Sequence, residues 1–145
     1  FRDPMLSSVG RLDKETSGLL LLTDDGKLLH KIISPKQHVA KCYVATLARP
    51  LREDAAEIFA SGSLMLEGDD KLLLPAELEV ISPTRARLTL HEGRYHQVRR
   101  MFAAIGNHVD ALHRESIGGL TLPEDLKPGE YRIVSVEDIA MIFRK

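Results

Sequence analysis

Two polar segments hold the side chains that could do chemistry. The first, Gly10-Arg11-Leu12-Asp13-Lys14-Glu15-Thr16-Ser17-Gly18, is bounded by glycines and runs into the apolar Leu19-Leu20-Leu21-Leu22. Asp13 stands between Arg11 and Lys14, cations that favour its charged form, as a carboxylate acting as nucleophile or base requires. An aspartate in such a segment also caps a turn through its own backbone, and spacing alone leaves both readings open. Glu15 lies only two residues from Asp13, which argues against a carboxylate pair spanning a sugar at roughly 5–10 Å. The segment has no glycine-rich phosphate loop, so nucleotide hydrolysis has no support.

The second segment is His91-Glu92-Gly93-Arg94-Tyr95-His96-Gln97-Val98-Arg99-Arg100-Met101-Phe102. It joins the end of an alternating strand to a helix whose apolar residues are Val98, Met101 and Phe102. Anionic ligands meet backbone N–H groups and arginine forks at such junctions. The alternative is a soluble helix face whose arginines pair with acids elsewhere in the chain. His91 and His96, like His108 and His113, are five residues apart, which places neither pair on one helix or strand face; no metal site is expected.

The elements that must position these segments follow from pattern. Residues 19–23 predict a short buried strand, and 27–33, with apolar positions 28, 29, 32 and 33, a helix stopped by Ser34-Pro35. A strand over 39–47 and a helix over 53–60 come next. Residues 77–81 and 85–90 form a hairpin around Ser82-Pro83-Thr84, and a helix over 97–105 ends at Gly106-Asn107. Strands over 109–114 and 131–134 and a helix over 136–143 complete an α+β fold with a mixed, largely antiparallel sheet and flanking helices.

The chain's 145 residues, 43% hydrophobic and 28% charged, suit one domain that holds its core without disulfides or a structural metal. Cys42 is the single cysteine, which excludes a disulfide scaffold or a cysteine cluster and fits a reducing cytosol. The longest apolar run is far short of the roughly 20 residues a membrane helix needs. Net charge is −1, yet residues 85–114 carry six arginines and four histidines against only Glu92 and Asp110. That local excess is what a nucleic-acid footprint inside a neutral domain looks like.

Taken together, Gly10-Arg11-Leu12-Asp13 and Thr16-x-Gly18-Leu-Leu-Leu-Leu-Thr23-x-Asp25-Gly26 resemble the catalytic motif of RNA pseudouridine synthases of the RsuA/RluA type. Lys41-Cys42-Tyr43 resembles that family's Lys-x-Tyr motif, and Glu92-Gly93-Arg94-x-His96-Gln97-Val98-Arg99-Arg100-Met101 its later basic motif. His113-Arg114-Glu115-Ser116-Ile117-Gly118-Gly119-Leu120 and Pro128-Gly129-Glu130-Tyr131-Arg132 narrow the resemblance to the RsuA-like branch.

The resemblance implies that Asp13 attacks a target uridine, at the ribose C1′ or on the uracil ring. The N1 glycosidic bond breaks, the uracil turns, and C5 joins C1′, with no cofactor and no metal. It implies that Tyr43 lies against the uracil and takes the C5 proton, and that Arg99 pairs with Asp13 and keeps it charged. Arg11 would stand near the flipped nucleotide, and Arg94, His96, Gln97, Arg100 and Arg114 would contact RNA. The implied partner is ribosomal RNA or a ribosomal assembly particle, met by a cytoplasmic monomer with no membrane association. Small-subunit RNA is the first expectation; large-subunit RNA and a non-catalytic RNA-binding module are the alternatives. The family usually carries an upstream catalytic segment with a Lys-Pro-x-Gly-like motif, and the branch an S4-like RNA-binding domain. Residues 1–145 contain neither, so the resemblance makes them a partial catalytic domain.

Overall fold

The computed structural model describes residues 6–144. Its main sheet takes strands in the order β2-β7-β4-β6-β5: Thr16–Gly18, Val109–Ile117, Lys41–Leu47, Arg85–Leu90 and Glu77–Ser82. β8 (Leu120–Thr121) folds back on β7. All these pairings are antiparallel except β2 with β7, so the mixed sheet expected from the pattern is present. β1 (Ser7–Ser8) and β3 (Leu22–Thr23) form a separate two-stranded ribbon.

Alternation along the strands selects the covered face. Tyr43, Ala45 and Leu47 of β4 and Ala86, Leu88 and Leu90 of β6 turn to one core with α2 (Ala55–Ala60) and α3 (Gln97–Ala104). Phe59 of α2 meets Phe102 of α3 edge to face at 5.3 Å. Burial of side chains of that size contributes about 1.5–3 kcal/mol each, which fixes α3, and the basic segment at its start, against the sheet. A second core gathers Val9, Leu19, Leu21, Ile32, Val39, Ile117 and Ile142 beneath α1 (Gly26–Ile33) and α4 (Val136–Ile142). Asp25 caps α1 by accepting from the N–H groups of Lys27 and Leu28, and a Ser135/Asp138 capping box starts α4.

Two expected strands come out differently. Residues 19–23 do not form one strand, because the segment changes partner partway. β2 pairs with β7, the Leu19 N–H still donates to the Arg114 carbonyl, and then β3 crosses to β1. Leu19 and Leu21 are buried while Leu20 and Leu22 are exposed, so the side-chain alternation of a strand persists without a continuous ladder. Residues 131–134 form no strand at all. Their composition favours one, but no neighbouring strand among the described residues pairs with them, and Tyr131 is 88% exposed. Elsewhere β7 runs three residues beyond the expected strand, to Ile117, carried by its pairing with β4 as far as Lys41.

Candidate active site

The loop that carries Asp13 is pinned at both ends. Upstream, the Val9 N–H donates to the Leu21 carbonyl at 2.8 Å; downstream, Thr16 to Gly18 lie in register with Leu112 to Arg114. Between them Gly10 takes a left-handed φ of +74°, and the Thr16 N–H donates to the Asp13 carbonyl at 2.9 Å. The Asp13 backbone therefore closes a turn, and its side-chain carboxylate takes no part in that bond. That side chain is half-buried, 31% exposed.

Facing that carboxylate is His96, with Nε2 3.6 Å from Asp13 Oδ1. His96 holds φ at +46° immediately before α3, a left-handed conformation that histidine adopts more readily than most non-glycine residues. Gln97 holds the bend: its Oε1 accepts from the Arg94 N–H at 2.9 Å and its Nε2 donates to Glu92 Oε2 at 3.2 Å. Gln97 is buried and its amide is hydrogen-bonded within the protein at both ends.

Arg99 has partners in the structure other than the expected one. It does not pair with the Asp13 carboxylate; it donates Nη1 to the Val109 carbonyl at 3.1 Å and Nη2 to the Glu15 carbonyl at 3.3 Å. Charge-assisted bonds to two backbone carbonyls tie α3 to the start of β7 and to the Asp13 turn. Arg99 thus positions the turn, and His96 is the basic side chain that meets the carboxylate.

Arg94 and Arg100 are likewise engaged within the protein. Arg94 reaches Glu92 at 3.0 Å, Asp69 at 3.2 Å and the carbonyls of Lys71 and Leu72. Arg100 reaches Asp69 at 2.8 Å and the carbonyls of Glu67 and Tyr95. The hydrogen bond from Arg100 holds the Asp69 carboxyl below its ordinary range, with Arg94 adding to it. These two arginines fasten residues 67–72 to the start of α3, as the alternative reading of the basic stretch had it. Arg11 is exposed and makes no hydrogen bond or ion pair among the described residues.

Across the sheet, Tyr43 on β4 stands opposite Arg114 on β7, and Arg114 opposite Gly18 on β2. Gly18 has φ of +114°, and a Cβ there would stand 2.1 Å from the Arg114 carbonyl oxygen. Glycine is what allows the strand leaving the Asp13 turn to approach β7 so closely. Arg114 is 2% exposed; its Nε donates to the Leu19 carbonyl at 2.9 Å, and its Nη2 is buried without a partner. Lys41 shares this side of β4, and burial, followed by repulsion from Arg114, pushes its ammonium pKa below the ordinary lysine value. Neither cation has a carboxylate partner among the described residues. This row of Tyr43, Lys41 and Arg114 therefore sets positive charge without a carboxylate partner beside an aromatic ring.

Cys42 points to the opposite face, toward Thr89 and Glu115. Burial pushes its thiol pKa up, the reverse of what a thiolate nucleophile needs. No cluster of three or more His, Cys, Asp or Glu side chains suited to a metal ion occurs among the described residues. Sequence reasoning missed Tyr95, a residue 73% exposed whose ring stacks on His96 at 3.8 Å. It also missed the use of Glu92 and Asp69 as anchors. Lys41 was visible only as the first residue of Lys-x-Tyr.

The chain is 56% identical over 137 residues to the ribosomal small subunit pseudouridine synthase A of Escherichia coli K12, a match covering 94% of this chain and 59% of that relative. The protein of the same name from Vibrio cholerae is 54% identical, with 96% of this chain and 60% of the relative covered. A solved structure described as a pseudouridylate synthase superposes with a TM-score of 0.91 at 49% identity, covering 94% of this chain and 59% of the other. The chain thus spans about three-fifths of the length of these relatives. The family model for RNA pseudouridylate synthase matches residues 1–104, a span that includes the Asp13 turn, Tyr43 and Arg99. On that match, and on the site geometry it encloses, the chain belongs to the RNA pseudouridylate synthase family.

Proposed function

We propose that this protein converts one uridine of small-subunit ribosomal RNA to pseudouridine, with the Asp13 carboxylate as nucleophile. The observation that carries this reading is the Asp13 turn itself. Its carboxylate is open to a ligand, its backbone is held by Arg99 and by the β2–β7 pairing, and the His96 ring is the only basic side chain with a nitrogen within 4 Å of it among the described residues. Holding a reacting group still before the substrate arrives removes ordering cost from the barrier.

In the reaction Asp13 bonds to the nucleotide, at C1′ or on the uracil ring, as the N1–C1′ bond breaks; the uracil turns within the site, a C5–C1′ bond forms, and the bond to Asp13 breaks. The C5 proton leaves and N1 gains one, so atoms and charge balance without any other reactant. Tyr43 lies against the uracil and its hydroxyl takes the C5 proton. Lys41 and Arg114, cations without a carboxylate partner among the described residues, stabilise the negative charge that builds on the uracil as N1 departs. Arg11, exposed and without a hydrogen bond or ion pair among the described residues, contacts the backbone near the flipped nucleotide. The target must leave its stack to reach Asp13, at a cost of a few kcal/mol that these contacts offset. The protein acts in the cytoplasm as a monomer, on ribosomal RNA or on an assembly particle.

The test is incubation of the protein with small- and large-subunit ribosomal RNA, each naked and in partly assembled particles, followed by mass-spectrometric mapping of pseudouridine. One modified position in small-subunit RNA is expected. Modification confined to large-subunit RNA overturns the substrate, and RNA binding without product overturns the reaction.

A further inference from the structure

We propose that the exposed ring of Tyr95 is a stacking platform for an unpaired base next to the target uridine. This rests on the reaction proposed above and adds a second base-binding position to it. Tyr95 is 73% exposed, while the other apolar side chains around the start of α3, Val98, Met101 and Phe102, are buried. Its ring does not float freely: one side lies on the His96 ring at 3.8 Å and 24° between planes. The other side is left for a ligand.

The platform is built to stay in place. The Tyr95 carbonyl accepts from Arg100 Nη1 at 3.0 Å, and Arg94 on one side and Gln97 on the other are tied to Glu92. His96 beneath it is 3.6 Å from the Asp13 carboxylate, so a base resting on Tyr95 lies within one nucleotide of a uridine at Asp13. A preordered ring costs little further ordering on binding. Every base presents a π-face, so the contact adds affinity and register without demanding one sequence.

The protein has no tryptophan, so Tyr95→Trp introduces a single fluorophore at the platform. The probes are a short single-stranded RNA with one uridine flanked by purines and the same RNA with abasic flanking positions. Quenching of the Tyr95→Trp fluorescence by the first RNA and much weaker quenching by the second are expected. Tyr95→Ala should weaken binding and raise KM by about 5- to 100-fold, with kcat within about twofold of the parent, and Tyr95→Phe should restore KM. Thermal unfolding of Tyr95→Ala should match the parent, since an exposed ring holds little of the core. Bound RNA that leaves the fluorescence unchanged, or Tyr95→Ala binding as the parent does, overturns the platform. Pseudouridine is measured in the same samples: product without quenching refutes stacking alone, quenching without product refutes the reaction alone, and loss of all RNA binding refutes both.

Discussion

Gly18→Ala should damage this protein far more than the loss of one hydrogen atom suggests. The new methyl would meet the Arg114 backbone at 2.1 Å from its carbonyl oxygen, 2.6 Å from its nitrogen and 2.8 Å from its carbonyl carbon. Backbone cannot rotate away as a side chain can, so β2 has to leave β7. The φ of +114° adds strain of about 1–3 kcal/mol for alanine. Separation of the strands also endangers the buried bond from Arg114 Nε to the Leu19 carbonyl, of a type contributing about 1.5–3 kcal/mol. Together the losses come to about 3–6 kcal/mol, a large share of the 5–15 kcal/mol typical of a domain. Gly10→Ala is the control, since Gly10 is also left-handed, at +74°, but has nothing within 4 Å of a Cβ. It should cost only about 1–2 kcal/mol. In thermal melts followed by circular dichroism, Gly18→Ala should lower Tm by roughly 10–20 °C and Gly10→Ala by roughly 3–6 °C. Equal falls, or a Gly18→Ala protein melting within a few degrees of the parent, would refute the close approach of β2 to β7.

Arg99→Ala should slow single-turnover pseudouridine formation by about 100-fold through misplacement of the Asp13 turn, while Arg100→Ala, which loosens residues 67–72, should cost only a few-fold; equal losses would remove the positioning role from Arg99. Two carboxylates set the acid limit of stability. Asp69 is held low by Arg100 and Arg94; burial raises Glu115, but hydrogen bonds from Arg87 and Cys42 outweigh it and leave its pKa lowered. Because both folded pKa values lie below the unfolded ones, their stabilisation is complete above the ordinary carboxylate range and is lost as pH falls through the folded values, from about pH 5 downward; Asp69→Asn and Glu115→Gln should each flatten that limb in urea titrations. Lys41 has the opposite signature, its folded pKa lying below the unfolded one, so the unfolded chain binds more protons between the two and stability rises with pH there. Lys41→Met should therefore raise Tm at neutral pH and abolish that rise below about pH 10, while impairing turnover.

How far the sequence reveals the molecule depends on how local the determining contact is. The helix at Gly26–Ile33 and the hairpin of β5 and β6 were legible, because apolar spacing and a Ser82-Pro83-Thr84 turn lie within a few residues of what they control. Local composition makes residues 19–23 a strand, yet their hydrogen bonds go first to β7, 95 residues away from Leu19 to Arg114, and then to β1. The types of the site residues were legible as well, since Asp13, Tyr43 and Arg99 stand in ordered motifs. Their pairings were not. Arg99 grips the Glu15 carbonyl from 84 residues away, and Arg94 and Arg100 are taken up by Asp69 where a loop returns over 25 to 31 residues. No periodicity announces such a return. Tyr95 was passed over because exposure is set by how α3 docks on the sheet, and nothing in the residues around it distinguishes an outward ring from an inward one.

The central claim, that Asp13 supplies the reactive carboxylate from a turn the fold holds ready, is tested most directly by Asp13→Asn. Asparagine keeps the size of the side chain and leaves the backbone bond from Thr16 to residue 13 intact. The measurement is pseudouridine formed in small-subunit ribosomal RNA, scored by mass spectrometry beside thermal melts and RNA binding on the same preparation. The expected result is product below detection, with Tm within a few degrees of the parent and RNA affinity within a few-fold. Substantial turnover by folded, RNA-binding Asp13→Asn protein would contradict the assignment of the nucleophile.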